Sequence, residues 1–139
     1  MGTRSHEPLI RLARFKVEEL QKQMADIETV RGSILDQIER LEESVPEEQA
    51  VAVENRDGYI AYGSYARSVI QRKEKLRTSL DEVDAQAGAI RERLETAFAE
   101  LKKFELLEER RIARIQDSVR AAEQAELDEI AAGMRRSAH

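Results

Sequence analysis

Between residues 62 and 104 one stripe of side chains repeats without a slip. Steps of four and three give Tyr62, Ala66, Val69, Lys73, Leu76, Leu80, Val83, Ala87, Ile90, Leu94, Ala97, Leu101 and Phe104. Only Lys73 is neither apolar nor aromatic. A mean spacing of ~3.5 residues holds one face of a helix toward a neighbour, the pattern of a coiled-coil strand. A helix cannot cover its own stripe, so a partner helix is required.

The chain supplies one. Ile10, Ala13, Val17, Leu20, Met24, Ile27, Arg31, Ile34, Ile38, Leu41 and Val45 again alternate steps of three and four, with Arg31 the single charged member. Between the two stripes, Ser44-Val45-Pro46-Glu47 predicts a helix break, because proline lacks a backbone donor and crowds the preceding turn. Ser44 and Glu47 also fit a capping box, which predicts a short separate helix over residues 46–54. Asn55-Arg56-Asp57-Gly58 is a turn signal, and the second long helix is expected from about Tyr59. At the other end, residues 1–7 read as a frayed leader, with Ser5 a candidate cap and Pro8 tolerated in the first turn.

These boundaries predict an all-α fold: a long antiparallel two-helix coiled coil, or helical hairpin, with an overhanging C-terminal helix. The 139 residues form one elongated domain, with helices over about 8–45 and 59–132 and a connector over 46–58. A reversal near residues 51–54 sets paired residue numbers to add to roughly 105 in a tight helical hairpin. Ile10 then falls opposite Leu94 to Ala97, and α-helix beyond about residue 100 has no intramolecular partner. The phase of the stripe is lost after Phe104. Leu106, Leu107, Ile112, Ile115 and Val119 therefore sit on a projecting helix, where apolar exposure marks a docking element for another protein or a second copy. The same register brings Arg31 and Lys73 within about one helical turn of ~5.4 Å, with Glu28, Asp36 or Glu74 expected to neutralise them.

Composition narrows what such a chain does. Charged residues make up 37% and aromatic residues 4%, which is the balance of a long helix and not of a compact globular core. Sustained heptads exclude simple disorder. A net charge of −5 disfavours nucleic acid as the main partner. Cysteine is absent, so disulfides and thiolate metal sites are excluded; this composition and the lack of an apolar run of about 20 residues fit a soluble cytoplasmic protein. His6 and His139 are expected to be solvated, with no third ligand placed by a motif. No phosphate loop or nucleophile motif occurs, and carboxylates on two helices have no concave site in which to be tuned. The chain is read as a non-enzyme with no cofactor, no metal and no small-molecule substrate.

Two charged groups, Arg72-Lys73-Lys75-Arg77 and Arg110-Arg111-Arg114, are the candidate partner surfaces. Tyr59, Tyr62 and Tyr65 cluster by the turn, where they either cap the hairpin or form an aromatic contact patch.

Leu9-Ile10-Arg11-Leu12 entering a long helix, Tyr62-Gly63-Ser64-Tyr65 ahead of Arg72-Lys73, ELKKFELLEERR at residues 100–111 and EQAELDEIA at residues 123–131 carry a resemblance. Over nearly its whole length the chain resembles the FliJ family of flagellar export proteins. That resemblance implies a two-helix stalk similar to the central stalk of rotary ATPases, associated with the inner-membrane apparatus of type III protein export in flagellum biogenesis. The helix ends, including Arg110, Arg111, Arg114, Glu123, Gln124, Glu126, Asp128 and Glu129, would meet a hexameric export ATPase. Tyr62, Tyr65 and Val69 would meet the membrane export gate, and export chaperones are further partners. The alternatives are a coiled-coil escort for export substrates, the equivalent stalk of a virulence-type secretion system, or a dimeric scaffold.

Overall fold

A computed structural model describes residues 4–53 and 56–138, apart from the side chains of Arg56, Asp57 and Tyr59. The architecture is all-α. Helix α1 spans Glu7–Ala52 and helix α2 spans Arg56–Ser137, with no strand among the described residues. Chain packing divides into two units, one of Glu18–Glu95 and one of Met1–Val17 with Thr96–His139.

In the unit Glu18–Glu95 the helices run antiparallel. Arg31 meets Asp84 at 2.7 Å and Glu42 meets Lys73 at 3.0 Å, so eleven residues forward along α1 match eleven backward along α2. Both stripes form the seam. Ile34, Val69, Val83, Ala87 and Ile90 are buried, while Leu20, Leu41, Leu76, Leu80 and Leu94 are half-buried. Ile27, Ile38, Val45 and Ala66 are half-buried too, because a single neighbour helix leaves one flank of many seam side chains wet. Each fully covered valine or isoleucine contributes about 1.5–3 kcal/mol of apolar transfer, and the stripe supplies stability by repetition.

Arg31 and Lys73 do not share a layer. Their partners are Asp84 and Glu42 on the opposite helix, not Glu28, Asp36 or Glu74, and the two pairs stand about 16 Å apart along the seam at ~1.5 Å per residue. Arg31 is exposed and Lys73 half-buried. Each head leaves the seam at its edge for a carboxylate, as long cationic side chains do.

Pro46 does not end α1. The helix runs through it to Ala52, with Ser44 and Glu47 inside the helix and not capping a new one. The amide missing at Pro46 would have bonded the carbonyl of Glu42, and both residues lie on the exposed face, where water replaces the lost donor. The Ser44 hydroxyl donates to the carbonyl of Leu41 at 2.7 Å, which secures the turn just before the proline. Helix α2 likewise begins before Tyr59, and Arg56, Asp57 and Gly58 of the expected turn are helical. Asn55 and Glu54 lie outside the described residues.

In the unit formed by Met1–Val17 and Thr96–His139, Ala13, Val17 and Ala97 are buried. Lys16 meets Glu100 at 3.9 Å, and His6 meets Glu108. Pairing therefore extends to Glu108 and does not stop near residue 100. Side chains tilt toward the N-terminus of their own helix. In an antiparallel pair those tilts oppose, so long side chains that touch carry higher numbers on both helices than backbone level alone predicts. The later end of α1 adds to the same shift.

Candidate functional site

The N-terminus of α1 is capped from the other helix. His6 contributes the first intrahelical acceptor, its carbonyl taking the Ile10 amide at 2.9 Å, while the Ser5 hydroxyl oxygen accepts the Glu7 amide at 3.1 Å. Two further donors at the helix entrance reach across to the other helix. Glu108 takes both on one carboxylate oxygen: the Ser5 hydroxyl at 2.8 Å and the His6 amide at 3.0 Å. Its other oxygen accepts from Arg111 Nε, one helical turn on. A carboxylate here also faces the positive end of the α1 dipole. Ser5 and His6 are thus anchored and do not fray; residues 1–3 lie outside the described residues.

The Arg111 guanidinium lowers the Glu108 carboxyl below the ordinary carboxylate value, helped by Ser5 and the His6 amide, while partial loss of water pulls the other way. Glu108 is 13% exposed and Arg111 20%. His6 is half-buried and not solvated as expected, and its Nδ1 is buried without a hydrogen bond, 3.8 Å from Glu108 Oε1. His139 lies outside the described residues.

A signal for this cluster existed in the sequence. Phe104, Glu108 and Arg111 continue the four-and-three step of the stripe, so polar residues take over the seam where α1 reaches its first turn. Leu107 is half-buried there as well.

Of the residues expected at an ATPase contact, Arg111 is occupied by Glu108, whereas Arg110 and Arg114 are exposed. Glu123, Glu126 and Glu129 are exposed too, and Gln124 Nε2 donates to Asp128 at 3.0 Å across one helical turn. Every side chain from Ile112 to Ala132 is exposed, including Ile112, Ile115, Val119, Leu127 and Ile130. On α1, Leu9, Leu12 and Phe15 are exposed, a second apolar surface in the same unit that the stripe analysis did not single out.

At the connector end, Tyr65 donates its hydroxyl to Ser44 on α1, and Tyr62 is half-buried in the seam. Val69 is 3% exposed, beneath α1. These contacts fit tyrosines that hold the hairpin together. The side chain of Tyr59 lies outside the described residues.

Among the described residues no group of three or more metal-ligating side chains converges, and no helix is long and apolar enough to cross a membrane. The organised features are a seam, a trans-helix cap and exposed apolar helix faces, which define an all-α protein of two long helices. The family model described as "Flagellar FliJ protein" matches residues 5–138. The chain belongs to this family, and is thereby a non-enzymatic component of flagellar protein export. No curated protein and no solved structure matches it.

Proposed function

We propose that the chain is the stalk of the flagellar type III export apparatus, working in the cytoplasm against the inner-membrane export machinery. The observation that carries this reading is the exposed run from Ile112 onward, which keeps helical geometry and apolar residues beyond the last cross-helix bond at Glu108. An exposed amphipathic helix of this length is a docking element. In this reading the run from Arg110 to Glu129, with Leu9, Leu12 and Phe15, enters a hexameric export ATPase, promotes ring assembly and stimulates turnover. The connector end of the unit Glu18–Glu95, through Tyr62 and Tyr65 with Val69 supporting them from the seam, contacts the membrane export gate and couples hydrolysis to it.

The test is direct. Purified chain added to the cognate ATPase should raise turnover and hexamer formation, and a chain ending at residue 111 should do neither. No effect of the full chain on either quantity, together with tight binding of unfolded export clients, would establish the escort reading instead. The same assay run with a virulence-type ATPase distinguishes the two secretion systems. The exposed apolar positions also permit a self-paired scaffold; sedimentation showing a dimer at all concentrations would favour that.

A further inference from the structure

Within the unit Glu18–Glu95 a groove of about 570 Å³ lies between α1 and α2 on the connector side. Its floor is apolar: Leu41 and Leu76 are half-buried, and the Tyr65 ring is held in place by the hydroxyl bond to Ser44. Its walls carry Arg40, Arg72 and Lys75, and no carboxylate lines it. That asymmetry stands out in a chain with 28 acidic and 23 basic residues.

Asp36, Glu42 and Glu74 stand outside the lining. Asp36 meets Arg40 at 2.7 Å, an exposed pair worth little. Glu42 is held by Lys73 in the seam, and Glu74 lines the neighbouring depression with Gln71 and Thr78, on the other side of Lys75. Arg72 and Lys75 are both exposed and have no ion-pair partner among the described residues. Two unneutralised cations beside an apolar floor attract a ligand that brings negative charge and apolar side chains together. A groove between two helices fits a third helix, whose apolar residues at i, i+3 and i+4 fill the floor while its carboxylates reach the walls.

We propose that this groove docks an acidic amphipathic helix from a partner protein. The proposal specifies the contact at the Tyr62–Tyr65 end, and rests on that end facing a partner, though not on the export gate being that partner.

The test uses the full chain and two labelled helical peptides that share one leucine stripe, one carrying glutamates on the remaining face and the other lysines. The acidic peptide is expected to bind at least tenfold tighter than the basic one by fluorescence anisotropy. The double variant Arg72→Glu/Lys75→Glu should lose at least tenfold for the acidic peptide, and Arg72→Gln/Lys75→Gln should lose less. Both variants should keep the wild-type melting curve, because the side chains are exposed. Arg93→Glu/Arg135→Glu makes the same change in net charge elsewhere and should leave the affinity within twofold. Equal affinity for the two peptides, equal losses in the two glutamate variants, or preferential binding of phosphatidylglycerol vesicles through Arg72 and Lys75 would overturn the proposal. Gate-protein binding measured on the same variants separates the two readings: acidic-peptide binding that depends on the groove, with unchanged gate binding, rejects only the gate assignment.

Discussion

Glu108 of α2 accepts the backbone amide of His6 at 3.0 Å, so the first turn of α1 is completed by a residue 102 positions away. Local sequence caps a helix through its own side chains; here the cap depends on the two helices being paired. Replacing Glu108 by Gln keeps a hydroxyl-accepting oxygen but removes the charge that holds Arg111 and faces the helix dipole. The expected result is faster amide exchange at His6, Glu7, Leu9 and Ile10 in Glu108→Gln, with unchanged exchange around Ile90. Because the folded-state pKa of Glu108 is lowered, its contribution is complete above the ordinary carboxylate value of 4.5 and is lost as pH falls through the folded value. Exchange in the wild-type first turn should therefore be flat from pH 7 to about 5, after correction for intrinsic rates, and rise under more acid conditions. Glu108→Gln should show no such rise.

Arg31 and Lys73 interrupt otherwise apolar stripes, and each leaves the seam for a carboxylate across it. Exposed and half-exposed ion pairs contribute about 0–1 kcal/mol, so Arg31→Leu and Lys73→Leu should each change stability by no more than about 1 kcal/mol, in either direction. At about 16 Å apart they share no partner and their effects should add within about 0.5 kcal/mol in urea unfolding. A large coupling would restore the idea of a common polar layer.

Pro46 sits inside an exposed helical face at the expense of one backbone bond. Pro46→Ala should stabilise α1 by about 1–2 kcal/mol, the helix-interior penalty less the unfolded-state entropy that proline removes. Thermal unfolding by circular dichroism measures it, and no gain would mean that the turn around Ser44 had already compensated the proline.

Ile90 and Ile130 are the same residue type on the same helix in different surroundings, 7% and 50% exposed. Ile90→Ala should cost about 2–3 kcal/mol through lost burial and an unfilled seam. Ile130→Ala should stay within about 0.5 kcal/mol on stability while weakening ATPase stimulation, if that face docks in the ring. Chemical denaturation and turnover assays together check the pair.

The two stripes determined much by themselves. From Ile10 to Val45 and from Tyr62 to Phe104 every position but Arg31 is half-buried or buried, because a spacing of ~3.5 residues leaves a helix one face to hide. The antiparallel course followed from the short stretch between them. Three things belonged to tertiary structure. The partners of Arg31 and Lys73, and the extension of pairing to Glu108, depend on how far long side chains lean along their own helices, a displacement that periodicity does not contain. Proline at residue 46 had to be weighed against the packing on both sides of it, and the packed helix prevailed because the lost amide faces water. The cap at His6 needed a carboxylate 102 residues away on the other helix, within reach only once the two helices had paired.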